Sequence, residues 1–365
     1  MAYTTIDNPE LYFQTKLYTG SGSIQAITLD GDENMQPDFI WCKSRSETRH
    51  HYLADSVRGV KSRIRSDATN AEYTADATNG FDSFDSDGFT LEEDSSSLGL
   101  NESSHNMVAY CWKAGTSFTN DASATSVGNT DSSGSASSTA GFSIAKWVGA
   151  GASLDIQVKH GLSAKPAVMI TKNIEEAGGN HWAVYHHKNT SAPETDYLKL
   201  SDTTATTDDA DIWNDTEPTS AIFTAGDHSG SNRSGDDFVG YFWNEVQGYS
   251  KFGGWTGNGN ADGPYIHLGF RPAWIMYKPT DQADNWEIHN NKTDTFNPMD
   301  TILYANRTNA ESDPASTTDR LDFLSNGFKI RTGSSDYNGN GNTYIYMAFA
   351  EAPFVNSNGV PCNAR

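Results

Sequence analysis

Three stretches of this 365-residue chain repeat one order of landmarks. Each opens with an aromatic residue and a Gly-x-Gly: Tyr18, Gly20 and Gly22; Trp147, Gly149 and Gly151; Trp255, Gly257 and Gly259. Each then reaches a proline that leads an apolar run. The interval from Gly22 to Pro37 equals that from Gly151 to Pro166, and Gly259 to Pro272 is shorter by only two positions. Each closes on an aromatic strand ending at Trp112, Trp243 or Phe349. Pro166 to Trp243 and Pro272 to Phe349 are equal intervals, and Pro37 to Trp112 falls two positions short of them. Chance does not hold three landmarks in register over so long a span. The outer pair also shares a phrase, Thr69-Asn-Ala-Glu72 against Thr308-Asn-Ala-Glu311. The period exceeds the roughly 20–50 residues of a solenoid unit. At about 100 residues each copy is of ordinary domain size, so each is expected to fold around its own core.

The local signal is strand. Apolar runs are short, β-branched or aromatic, and bounded by Gly, Asn, Asp and Ser, as in Phe39–Cys42, Val168–Ile170 and Trp274–Tyr277. Only Tyr52–Ile64 has a helical spacing of apolar residues, and Gly59 argues against a helix there. The expected fold is all-β: three tandem homologous β-sandwich domains of jelly-roll or lectin-like kind, at 15–115, 142–248 and 249–352. Residues 1–14 form an N-terminal arm and residues 353–365 a C-terminal tail. Residues 116–141 are almost all Ser, Thr, Gly, Ala, Asn and Asp, and the composition predicts a linker. The second and third copies join directly and should pack together, leaving the first free to lie apart.

Net charge is −22, from 25 basic and 47 acidic residues. That balance excludes nucleic acid as a direct ligand, since counterion release needs a basic face. No stretch approaches the roughly 20 apolar residues of a membrane span, so no membrane insertion is expected. The N-terminus lacks the basic start and apolar run of a signal peptide. Three cysteines, Cys42, Cys111 and Cys362, do not make a disulfide framework, and the first two sit in core-like strands. Both features fit a protein that folds in a reducing cytosol.

A search for chemistry finds no nucleophile elbow, no Walker loop and no His-Glu-x-x-His. The Gly-x-Gly lacks the third glycine of a dinucleotide loop and is read as a hairpin turn. Adjacent histidines such as His50-His51 and His186-His187 point to opposite faces of a strand, against metal ligation. Asp82-Ser-Phe-Asp-Ser-Asp-Gly88 has the oxygens of a calcium loop without its spacing. Calcium is therefore the one cofactor to keep in view, and otherwise none is expected. No catalytic or metal site is assigned. Aromatics beside Asn, Asp and His make a sugar-binding inventory: Trp182, Tyr185, Trp213, Asp215, Trp286 and His289. Trp182 follows Pro166 at nearly the interval by which Trp286 follows Pro272, so the competing reading makes them equivalent core positions.

Several phrases are more specific: Val57-Arg-Gly59, Phe84-Asp-Ser-Asp-Gly-Phe89, Ala109-Tyr-Cys-Trp-Lys-Ala-Gly115, Trp213-Asn-Asp-Thr216, Gly248-Tyr-Ser-Lys-Phe252, Gly269-Phe-Arg-Pro272, Leu324-Ser-Asn-Gly-Phe328 and Tyr344-Ile-Tyr-Met-Ala-Phe-Ala-Glu351. Together, from about Tyr12 to the end of the chain, they resemble an uncharacterised domain family of marine tailed bacteriophages. The resemblance implies a virion structural protein, of tail-fibre or adhesin type or a capsid decoration protein, synthesised and assembled in the host bacterial cytoplasm. It implies as partners other virion proteins, further copies of the chain in a homotrimer, and a host surface glycan. It carries over no active site. The alternative of another class is a tail-borne polysaccharide depolymerase. Missing motifs and threefold duplication, which multiplies weak binding, favour the non-enzymatic reading.

Overall fold

The computed structural model describes residues 3–74, 80–94, 99–176, 181–312 and 320–362. Its strands fall into three units. The first holds β1 (Phe13–Thr19), β2 (Gln25–Ile27), β3 (Phe39–Ser44), β4 (Tyr52–Asp55), β5 (Ser62–Ile64), β6 (Tyr73–Thr74), β7 (Phe81–Asp85), β8 (Gly88–Leu91) and β9 (Asn106–Trp112). The second holds β10 (Thr116–Asn120), β11 (Ser132–Ser137), β12 (Phe142–Val148), β13 (Ile156–Lys159), β14 (Val168–Asn173), β15 (Ala183–His186), β16 (Asp196–Lys199), β17 (Thr207–Asp208), β18 (Ile222–Ala225) and β19 (Asp237–Trp243). The third holds β20 (Ser250–Thr256), β21 (Tyr265–His267), β22 (Phe270–Pro279), β23 (Glu287–Asn290), β24 (Leu303–Tyr304), β25 (Leu321–Leu324), β26 (Gly327–Ile330) and β27 (Thr343–Pro353).

One strand order recurs. The large sheets run β1-β9-β3-β4-β5, β12-β19-β14-β15-β16 and β20-β27-β22-β23-β24, each faced by a small sheet, β2-β8-β7, β13-β18 or β21-β26-β25. The registers coincide as well: Phe39 lies opposite Trp112, Val168 opposite Trp243, and Trp274 opposite Phe349. Side chains alternate across a strand. One face of each large sheet therefore meets its small sheet, as Ile40, Cys42 and Cys111 meet Ile27, Phe89 and Leu91. The opposite faces of all three large sheets meet one another in a single shared core. Trp112 stands there with its ring 6.3 Å from Trp243, 5.8 Å from Trp274 and 5.6 Å from Phe349. Burial on both faces explains why Phe-Ile-Trp-Cys in β3 shows no polar alternation.

Equivalent polar contacts close the three units into a ring. The residue before β4, β15 or β23 is His51, Trp182 or Trp286. Trp182 Nε1 donates to the carbonyl of Arg65 at 2.8 Å, and Trp286 Nε1 to that of Lys199 at 2.8 Å. His51 accepts the Trp41 indole on Nδ1 at 2.8 Å, so its Nε2–H donates to the carbonyl of Tyr304 at 2.9 Å. Donors and acceptors are in register in all three, and the direction runs second unit to first, first to third, third to second. Backbone bonds join the same pairs of units in the opposite sense: Glu72 N to Ile174 O, Thr206 N to Thr280 O and Glu311 N to Arg45 O. The shared Thr-Asn-Ala-Glu phrase ends on two of these donors. Lys43, Lys172 and Lys278, each buried and each equally far along its strand from Phe39, Val168 or Trp274, give their ammonium groups to main-chain carbonyls. Burial lowers all three to about 8.

The Gly-x-Gly segments have two separate requirements. A Cβ on Gly20, Gly149 or Gly257 would come within 2.2, 2.1 or 2.2 Å of a facing carbonyl oxygen. Gly22, Gly151 and Gly259 have φ of 76°, 64° and 68°, where L side chains are strained. Three buried asparagines hold these turns. The Oδ1 atoms of Asn101, Asn232 and Asn338 accept from the backbone N–H between the two glycines at 2.9, 2.7 and 2.7 Å.

Four expectations are corrected. The stretch 116–141 is not a linker: β10 and β11 form a hairpin that extends the second large sheet beyond β12. Its small residues suit that place, because a Cβ on Gly134 would lie 2.0 Å from the Ile144 carbonyl oxygen. The first unit does not lie apart, since it supplies part of the shared core. The N-terminal segment is no free arm: Ile6 is in that core, and the Tyr3 hydroxyl donates to Gly269 O at 2.7 Å. Gly-x-Gly is not a hairpin turn: each carries the chain from a strand of a large sheet to a strand of the small sheet, while Tyr52–Ile64, where Gly59 argued against a helix, is the hairpin of β4 and β5.

Candidate functional site

The six residues of the sugar-binding inventory do not come together. Trp182 and Trp286 are spent on the ring just described and lie in the shared core. Tyr185 and Trp213 pack in the interior of the second unit, rings 6.1 Å apart. His289 is buried in the third unit, and Asp215 is exposed on a left-handed turn. The inventory is interior because aromatic side chains here fill three sandwiches and a common centre. The candidate calcium loop is the β7–β8 hairpin. Asp85 accepts from the Ser83 and Thr90 hydroxyls at 2.6 and 2.8 Å, and Asp87 from Met35 N at 3.2 Å. Its carboxylates brace the turn.

A cleft of about 690 Å³ opens instead between β20 and β21 in the third unit, beside the loop that follows β15 in the second. Its floor is aromatic. Trp255 stacks on Tyr344 at 4.8 Å, and Tyr346 lies over Gly253, where a Cβ would be 2.5 Å from its hydroxyl. Its rim carries Lys188, Lys251, His187, His267 and Tyr265. Glu245 is the carboxylate of the lining, and its Oε1 accepts from Phe252 N at 2.9 Å. His187 Nε2 donates to Phe252 O at 2.6 Å. Burial lowers the His187 pKa. Phe252 thus turns its backbone groups away from β27, and by strand alternation Gly254 and Thr256 turn theirs the same way, into the cleft. Lys251 Nζ donates across the opening to His267 O at 2.9 Å. Tyr265 keeps 45 % of its surface exposed, its hydroxyl donating to Asn326 Oδ1 at 2.6 Å.

The other units fill the same place differently. In the second, β11 lies along β12 in full register, Thr130 bridges to Val158 of β13, and Phe118 covers Gly134 and Gly161. In the first, the Lys16–Asp30 ion pair and the Gln25 side chain on Thr19 O draw the edges together.

A second group of titratable residues is sealed inside the third unit. The Tyr277 hydroxyl donates to Glu287 Oε2 at 2.7 Å, and His289 stacks on Tyr277 with centroids 6.0 Å apart. Burial pushes the Glu287 carboxyl up to about 7 and His289 down to about 3. Arg320 donates to the Tyr337 hydroxyl at 2.8 Å at the edge of the group. The equivalent positions in the first unit are Tyr52, Ala54 and Cys42, so that unit lacks the group. Buried on all sides, it acts as a packed polar brace.

The asparagine clamps escaped the sequence reading. Their signal was available: Asn101, Asn232 and Asn338 precede Trp112, Trp243 and Phe349 by one identical interval. The cleft left no such signal, since it depends on a hairpin that one unit has and another lacks. No curated protein and no solved structure matches the chain. A family model matches residues 8–353, a span that runs from before β1 to the end of β27. The chain belongs to that family, described as a domain of unknown function, DUF7483.

Proposed function

We propose that the protein is a structural component exposed on the surface of a bacteriophage particle, of tail-fibre or adhesin type, and not an enzyme. The observation that carries this reading is the closed ring of three equivalent sheet pairs around one aromatic core. Such a body is a rigid holder that presents three outward faces, and its buried ionisable groups serve as struts. The resemblance to virion structural proteins supports it. The free, buried thiols of Cys42 and Cys111 suit assembly in a reducing cytoplasm.

One feature favours a capsid decoration role as the second reading. A single chain with internal threefold form can seat on a threefold position of a shell. Antibody-gold labelling of purified particles tests both. Label at the tail supports the first reading, label over the head the second, and absence from the particle by peptide mass spectrometry overturns both. Added protein should also compete with particles for host cells if it is the adhesin.

A further inference from the structure

We propose that the cleft between β20 and β21 binds an acidic glycan, a polysaccharide carrying carboxylate or sulfate groups. The inference rests on the particle-surface reading and names the ligand of one face of it. Three observations converge. The first is charge. In a chain of net charge −22, the cleft sets Lys188 and Lys251 against Glu245. Glu245 is already engaged by Phe252 N and stands 4.0 Å from His187 Nε2. An anion in the cleft therefore meets exposed lysine with little opposing charge. The second is surface. Tyr265 offers an exposed ring at the rim, and Gly254 leaves exposed backbone on one wall. The outward-turned backbone of Gly254 and Thr256 supplies donors and acceptors matched to sugar hydroxyls.

The third is the internal comparison. In the second unit a hairpin covers the edge that β20 leaves free, and in the first an ion pair crosses the corresponding gap. The third unit leaves it open, with aromatic floor and basic rim. Addition of a peptide strand is disfavoured by the caps already on the edge: Phe252 N and O are taken by Glu245 and His187, and Lys251 spans the gap to His267.

The test uses the full chain in affinity electrophoresis and calorimetry with alginate oligosaccharides, dextran sulfate and plain dextran. One of the two charged probes should bind at least roughly tenfold tighter than dextran, and the binding should weaken as salt rises from about 50 mM to about 500 mM. Which probe binds separates carboxylate from sulfate recognition. Lys188→Glu with Lys251→Glu should lose roughly tenfold or more in affinity. Lys292→Glu, on the corresponding loop of the third unit, should not, and the thermal melt should be unchanged in each. Binding unaffected by the double variant overturns the cleft assignment and leaves the particle-surface reading standing. Failure of both charged probes on a protein shown to be on the particle overturns the inference. Preferential capture of a peptide spanning Ser132–Ser137 overturns it in favour of strand addition. Absence from the particle removes the reading beneath it.

Discussion

At the scale of single residues, this protein keeps ionisable groups inside by holding them neutral or fully bonded. His51, His186 and His289 are buried and pushed down to about 3, and His160 to about 4, chiefly by desolvation. His186 accepts from Lys188 N on Nδ1 and donates Nε2–H to Tyr346 O at 3.0 Å, so protonation would break a bond as well as bury a charge. The sign follows. Between about 6.5 and 3 the unfolded chain binds protons at imidazoles that the folded chain keeps neutral, so stability falls as pH falls through that window. Urea midpoints measured from pH 7 down to pH 4 should drop steadily, and His51→Gln should reduce the slope. A midpoint independent of pH would contradict the buried neutral imidazoles. Glu287 has the opposite sign: its carboxyl is raised to about 7, so its contribution is present at low pH and is lost as pH rises through 7. The clamps give a second residue-scale prediction. Asn232→Ala leaves Ala150 N without its side-chain acceptor and Leu154 O without its side-chain donor. The cost should be about 2–4 kcal/mol by chemical denaturation, on the order of one or two unmet buried hydrogen bonds.

At the scale of elements, the sequence was most legible where one physical cause dominates. Pro37, Pro166 and Pro272 stand just ahead of Phe39, Val168 and Trp274, the strand positions that face the three closing aromatics, so the spacing reported a true register. Gly-x-Gly reads as a hairpin turn but links two sheets, and the reason its first glycine is needed, a carbonyl about 2 Å from any Cβ, lies across the fold. Composition misled where tertiary context overrides it. Ser-Ser-Gly-Ser-Ala-Ser in β11 has the makeup of a linker, yet small residues are what a strand wedged between Phe118 and β12 can carry. The aromatic inventory misled for a related reason, since sequence cannot tell a surface tryptophan from one whose indole N–H caps a neighbouring unit. The hairpin also makes a prediction. Replacing residues 116–137 by a short Gly-Ser linker uncovers the whole edge of β12 and strips Phe118 from its site. The variant should self-associate in light scattering while the full chain does not, as expected of an exposed, flat edge strand. Equal monodispersity would show that the hairpin is not the cover for that edge.

At the scale of the whole molecule, the decisive fact is that each large sheet has two buried faces and owns only one of the cores behind them. Trp112, Trp243 and Phe349 occupy equivalent places, and all three point into the centre that no unit encloses alone. One chain supplies all three parts of that centre, so a homotrimer is not needed to bury it. The ring is further tied by a sealed ion pair. Arg58, with its side chain 1 % exposed, bonds Asp55 and Glu72 at 2.6 Å each, and the Tyr241 hydroxyl of the second unit donates to Asp55 at 2.8 Å. Removing Arg58 would leave two carboxylates without their cation, a loss of about 3–5 kcal/mol. The last prediction concerns autonomy. Residues 116–248 expressed alone would expose Phe142, Val168, Val239, Tyr241 and Trp243 on one sheet face, a large apolar patch for a unit of its size. That fragment should aggregate or oligomerise. The full chain should run as a single 39.8 kDa species and unfold in one cooperative transition. Trp243→Ala should lower the stability of that single transition by about 3–5 kcal/mol without splitting it. A soluble monomeric fragment with native-like near-ultraviolet dichroism would show instead that the shared core is dispensable, and that the three units hold together by their rim contacts alone.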